Sequence, residues 1–105
     1  MPAYWLARAK IIDPVAYRTY NEAARQVWHK YPRRILVRGG RYEVLEGETI
    51  YERFVVAEYE SFELARTYFA SPEYQAAAEL RRKAGNIHEL VIVEGATDGT
   101  GSDGG

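Results

Sequence analysis

The chain has 105 residues, 47% hydrophobic and 28% charged, a globular balance that allows one domain of ordinary size. Its formal net charge of −1 argues against a nucleic-acid partner, which usually demands a basic surface. The absence of cysteine excludes a disulfide framework, a thiolate zinc site and a cysteine nucleophile.

Met1 to Leu6 lacks a basic leader followed by an apolar run, so no signal peptide is expected. No stretch approaches the ~18 apolar residues of a membrane span, so no membrane partner is expected either. With no cysteine, this fits a reducing cytoplasm. Nine tyrosines stand against three phenylalanines. Tyrosine has an apolar ring and a polar tip, which suits half-buried positions in interfaces and pocket walls.

Ala3 to Ile12 reads as a strand, with Trp5, Ala7, Ala9 and Ile11 on the side of a helical layer. Asp13-Pro14 is a helix start: a carboxylate to cap free amides, and a proline where no bond is lost. The helix should run to about Lys30, with Tyr17, Tyr20, Ala24, Val27 and Tyr31 as its apolar stripe. Pro32 ends it. Ile35 to Arg38 is a short strand broken by Gly39-Gly40, and Tyr42 to Leu45 is expected to resume it. After the turn Glu46-Gly47-Glu48, Ile50 to Tyr59 is a strand that is apolar on both faces at its centre. Ser61 caps a second helix with Phe62, Ala65 and Phe69 in line, and Ser71-Pro72 should break and restart it. Tyr74, Ala77, Arg81 and Ala84 form one line of the second piece, and Gly85 is its stop. Ile87 to Val93 is the last strand.

The order strand, helix, strand, strand, helix, strand is that of an α+β ferredoxin-like βαββαβ sandwich. Two helices would cover one face of a four-stranded antiparallel sheet. The open face carries large side chains, so the sheets of two copies are expected to pair as a homodimer. Residues 1–94 form this domain. Residues 95–105, with five glycines, read as a flexible tail.

Taken together, Asp13-Pro14-x-x-Tyr17, Arg38-Gly39-Gly40, Leu45-Glu46-Gly47 and Ser71-Pro72-Glu73-Tyr74 resemble the domain of unknown function 1330 family, within the dimeric α/β-barrel superfamily. The resemblance covers residues 2–94. It implies a ferredoxin-like protomer packed sheet to sheet against a second subunit. It implies no particular reaction: the wider superfamily includes cofactor-free monooxygenases, dye-decolourising peroxidases, haem-degrading enzymes and isomerases such as muconolactone isomerase, and fold kinship does not choose among them.

Arg38 lies at a strand end before two glycines. A guanidinium beside the exposed amides of Gly39 and Gly40 would suit a carboxylate or enolate; its alternative role is an ion pair with Glu46, Glu58 or a partner's carboxylate. His29 and His88 are the only imidazoles and so the natural general bases. His29 also suits a structural role as a cation at a helix end. Two distant histidines make a poor metal site, so no metal is expected. Tyr17, Tyr20, Trp28 and Tyr74 would either line a cavity or fill the core. Glu58 is a base if it turns inward and an ion-pair residue if it faces the dimer. Arg81, Arg82 and Lys83 read as favourable charge at a helix C-terminus. Ser71 is a cap before it is a nucleophile. The third strand lacks the glycine of RNA-recognition modules and carries two acids, which argues against RNA.

The reading is a homodimeric small-molecule protein, free of metal and cofactor, acting on an anionic or carbonyl-bearing ligand by proton transfer or oxygenation. Its catalytic candidates are His29, Arg38 and Glu58. Its ligand contacts are Tyr17, Trp28, Arg38, Gly39, Gly40 and Tyr74. The alternative is a non-catalytic dimeric sensing or assembly domain.

Overall fold

The two-residue period at the start of the chain becomes strand β1 (Ala3–Lys10), with Ala3, Trp5 and Ala9 buried. The computed structural model describes residues 1–96. From residue 97 on, the expected flexible tail lies outside the described residues, while Gly95 still donates to the Pro2 carbonyl at 2.8 Å.

Asp13 caps helix α1 (Pro14–Arg25): its carboxylate accepts from the Ala16 amide at 3.1 Å, and Pro14 opens the first turn. The helix ends before Lys30 because its bonding tightens. Val27 donates to Ala24 at 3.0 Å and Tyr31 to Trp28 at 3.1 Å, both three residues back. Trp28–Lys30 is therefore a 3₁₀ turn. This winding keeps Val27 buried and brings the Trp28 ring centre to 3.7 Å from Arg33 Cζ.

Strands β2 (Arg33–Arg38) and β3 (Arg53–Tyr59) follow. The expected resumption at Tyr42 to Leu45 does not form, and β3 starts at Arg53 rather than Ile50. A strand needs a ladder partner. Gly39 makes the last bond, its amide to the Phe54 carbonyl at 2.8 Å, and then turns away at φ +60°. Leu45, 87% exposed, has nothing to pair with.

Ser61 caps helix α2 (Phe62–Ala70), and Ser71 joins it to helix α3 (Pro72–Lys83). The Ser71 hydroxyl donates to the Tyr68 carbonyl at 2.8 Å and accepts from the Tyr74 amide at 3.1 Å. One side chain thus ends α2 and starts α3, which is the break expected from Ser71-Pro72. The inward residues of α2 are Ala65 and Tyr68; Phe69 stays at the rim against Trp5 and Tyr74. Gly85, at φ +81°, stops α3. Asn86 follows and ties two turns together: its Oδ1 accepts from the amides of Ile12 at 2.6 Å and Asp13 at 2.7 Å. Strand β4 (Ile87–Glu94) closes the domain.

The sheet order is β2-β3-β1-β4, antiparallel throughout, which is the ferredoxin-like α+β arrangement. Trp5 pairs with Ala57 and Ile92, and Ala9 with Arg53 and His88. Side chains alternate along strands. Arg53, Val55, Ala57 and Tyr59 of β3 therefore face the helices, while Phe54, Val56 and Glu58 face away. That resolves the face which the apolar run Phe54 to Ala57 leaves ambiguous.

The core between sheet and helices is aromatic. Trp5 lies 5.4 Å from Tyr68 and meets Tyr74 edge-on at 5.7 Å; Tyr68 and Tyr74 are 4.7 Å apart, all between ring centres. Each such fully buried ring stabilises the fold by roughly 1.5–3 kcal/mol.

Candidate functional site

Beside this core, α1 and the helix-facing side of the sheet leave a cavity of about 130 Å³. Its position follows from the side chains that frame it. Tyr17 and Tyr20 come from the inner stripe of α1, Trp28 from the 3₁₀ turn, and Arg53, His88 and Leu90 from inward positions of β3 and β4.

Arg38 arrives by a different route. Ile35 pairs with Ala57, but Val37 pairs with Val56 and Arg38 with Val55, so Leu36 is an extra residue in the ladder. Without that bulge, simple alternation would send Arg38 to the other side of the sheet. With it, Arg38 reaches the cavity mouth, its Cζ 5.9 Å from the Trp28 ring centre.

Arg53 donates through Nε to the Tyr17 hydroxyl at 2.9 Å. Its guanidinium lies so close to Gly39 that a Cβ there would collide with it. Gly39 thus shapes the site by leaving room for Arg53. Arg33 stacks on Trp28 and donates to the Tyr59 hydroxyl at 3.4 Å, with its own Nε buried and unpartnered. Among the described residues, none of Arg33, Arg38 and Arg53 forms an ion pair, and no carboxylate lines the cavity.

His88 stacks on Tyr17, ring centres 5.6 Å apart at 22°, and meets Tyr20 at 6.0 Å. Both its ring nitrogens are buried without a partner. Burial, then the positive charges of Arg81 and Arg82, lower its pKa to about 4, with the nearby Asn86 main chain opposing. It is neutral near pH 7.

Behind the wall, the hydroxyls of Tyr20 and Tyr74 lie 2.9 Å apart, and Arg81 donates to Tyr74 at 3.2 Å. Burial, and then Tyr74, hold the Tyr20 phenol well above its usual pKa. Arg81 is itself buried. The line Tyr74, Ala77, Arg81 points inward as a stripe, so Arg81 is a core residue and not merely charge at a helix end.

Of the residues singled out from the sequence, Tyr17, Trp28 and Arg38 come together at the cavity. Tyr74 is fully buried behind Tyr20 as support. Gly39 acts through Arg53, and Gly40 is exposed beyond it. His29 is exposed and lies outside the cavity lining. Glu58 lies across the sheet, pairing with Arg34 at 3.0 Å and accepting from the Tyr4 hydroxyl at 3.2 Å. Sequence reasoning did not single out Arg33 or Arg53 for the site, and it raised His88 only as one of two general-base candidates, without placing it in the site. The signal for His88 was Glu89: a carboxylate belongs on the solvent side of an edge strand, which turns its neighbour inward. Arg53 needed the phase of β3, which the sequence leaves open. Among the described residues, no group of three His, Cys, Asp or Glu side chains is placed to hold a metal ion.

The cavity can therefore hold a negatively charged group against the guanidiniums of Arg33, Arg38 and Arg53, and hydrogen-bond a ligand through a neutral imidazole and a tyrosine hydroxyl.

Solved structures share this fold. A protein of unknown function from Rhodopseudomonas palustris superposes with a TM-score of 0.71 at 17% identity, over 91% of this chain and 83% of that one. A dimeric ferredoxin-like protein of unknown function from a Jannaschia species gives 0.65 at 14% identity, over 90% and 100%. SnoaB, described as a cofactor-independent oxygenase from Streptomyces nogalater, gives 0.60 at 13% identity, over 91% and 94%. No protein of curated function matches the chain. A family model does match, over residues 2–96, and the chain belongs to that family, described as domain of unknown function 1330.

Proposed function

We propose that the cavity beside Tyr17, Trp28 and Arg38 holds a small anionic or carbonyl-bearing organic ligand, in a homodimer that needs neither metal nor added cofactor. One observation carries this reading: Arg33, Arg38 and Arg53 line one cavity where, among the described residues, no carboxylate neutralises them. Guanidinium forks match carboxylates and enolates. The volume agrees, since a cavity of about 150 Å³ takes benzene. Proton transfer or oxygenation is the chemistry such a site would perform. That SnoaB, of the same fold, is described as a cofactor-independent oxygenase supports the enzymatic option.

The homodimer is supported by the open sheet face, where Leu6, Val91 and Val93 are each more than a third exposed, and by fold neighbours described as dimeric. A cytoplasmic location belongs to the same reading and rests on the cysteine-free composition. The second reading, a non-catalytic sensing or assembly dimer, is favoured by Tyr74, which is packed solid with no accessible surface.

Titration with benzoate, followed by NMR, separates the two. The ligand reading expects binding that Arg53→Ala weakens by about tenfold or more, the loss of a charged hydrogen bond. Shifts confined to the outer sheet face, untouched by Arg53→Ala, would leave the non-catalytic dimer. A monomer at micromolar concentration by light scattering would sink the dimer in both readings.

A further inference from the structure

His88 is an acid–base group in an unusual position. It lines the cavity, its two ring nitrogens are buried, and neither has a partner among the described residues. An imidazole kept only for packing would normally have at least one nitrogen satisfied, because a buried polar atom without a partner costs free energy. The groups around it come from every packed element. Tyr17 and Tyr20 face it from α1. Arg53 on β3 holds the Tyr17 hydroxyl. Arg81 and Arg82 act on it from α3, and Arg38 waits at the cavity mouth. The charges in that set are all positive, and no carboxylate lines the cavity among the described residues.

That environment has a thermodynamic consequence. In the empty cavity a proton on His88 meets only cations and low dielectric. A bound anion reverses the sign of the field the imidazole feels, and gives one ring N–H an acceptor. By linkage, whatever raises the affinity of His88 for a proton must equally raise the affinity of the protonated protein for the anion.

We propose that the cavity takes a ring-sized organic monoanion and that, in mildly acid solution, His88 takes up a proton from solvent as that anion enters. This rests on the ligand-pocket reading above and gives that ligand a charge, a size and a proton. His88, rather than His29 or Glu58, is then the group that donates to or accepts from the bound ligand. His29 is exposed, and Glu58 lies on the far side of the sheet.

The test uses benzenesulfonate, whose charge does not titrate between pH 4 and 8. The chain holds two histidines, so ¹⁵N-histidine NMR reads His88 with exposed His29 as an internal reference. The expected result is a His88 pKa near 4 without benzenesulfonate, raised by a unit or more at saturation, with His29 unmoved. For a rise of one unit, Kd should fall about twofold from pH 7 to pH 5 and about fivefold by pH 4, the full factor of ten lying below both pKa values. His88→Gln should bind with a Kd independent of pH. Because the NMR titration is made on the unaltered chain, the proposal does not depend on that variant folding. Binding with an unchanged His88 pKa and a flat Kd would overturn the proton coupling and leave the pocket standing. Absence of binding up to tens of millimolar, alike in the unaltered chain and Arg53→Ala, would overturn both.

Discussion

On the solvent-facing side of the sheet, Arg8 meets Glu89 at 2.7 Å and Arg34 meets Glu58 at 3.0 Å. On the helix-facing side, Arg33 and Arg53 meet tyrosine hydroxyls and aromatic rings, and so does Arg81 beneath them. In the single protomer the outer cations lie in or near water, where pairing adds little and desolvation costs little. The inner ones have given up much of their water for π faces and neutral hydroxyls. Those partners satisfy donors without cancelling charge. The inner side thus keeps a positive field, concentrated by low dielectric, that the outer side dissipates.

Replacing Tyr74 by Phe should have the largest effect. The ring and its packing stay, but Arg81 and Tyr20 lose a buried partner. The expected cost is about 1–3 kcal/mol in chemical denaturation. A change below about 0.5 kcal/mol would mean that the inner cations do not depend on phenol oxygens. The pH dependence of stability should come next. Unfolded His88 binds a proton near its ordinary pKa of 6.5, and the folded chain not until about 4. Between those values the unfolded state holds more protons, so stability rises with pH across the window. His88→Gln should flatten that part of the profile in urea melts, and an unaltered slope would place the imidazole in water. The smallest effect should come from Arg34→Ala on the outer side: within about 1 kcal/mol, and shrinking as salt is added. A loss equal to that of Tyr74→Phe would erase the distinction between the two sides.

The outline of the fold was legible because local signals agreed. Asp13-Pro14 and Ser71-Pro72 mark helix starts whose caps form as the residue chemistry requires. Trp5 and its alternating neighbours gave the inner face of β1. The site was less legible, because it depends on how strands are phased against one another. Tyr17 sits on the apolar stripe of α1 and Trp28 falls one helical turn past Ala24, so their convergence could be read. Arg53 occupies a strand apolar on both faces, and only its pairing with Ala9 assigns it inward. Glu58 shows the converse: an acid in an apolar strand left both an inward base and an outward ion pair open, and the register gives the ion pair. Arg38 was found for its neighbours Gly39 and Gly40, but its route to the cavity depends on a bulge that no residue type announces.

That bulge makes the address of Arg38 a matter of counting. Strand β2 has two halves of opposite parity joined at Leu36, so Arg33 and Arg38 face the same way although five positions separate them. Among chains of this family, an arginine aligned with Arg38 would share its orientation where the odd residue is bulged out, as here, or missing altogether. Keeping all the residues between Ile35 and Arg38 but pairing them in a regular ladder would keep every side chain of the motif Arg38-Gly39-Gly40 and move its charge to the opposite surface. Family membership can therefore conserve the letters of this site while the pairing of one short strand decides whether they form one.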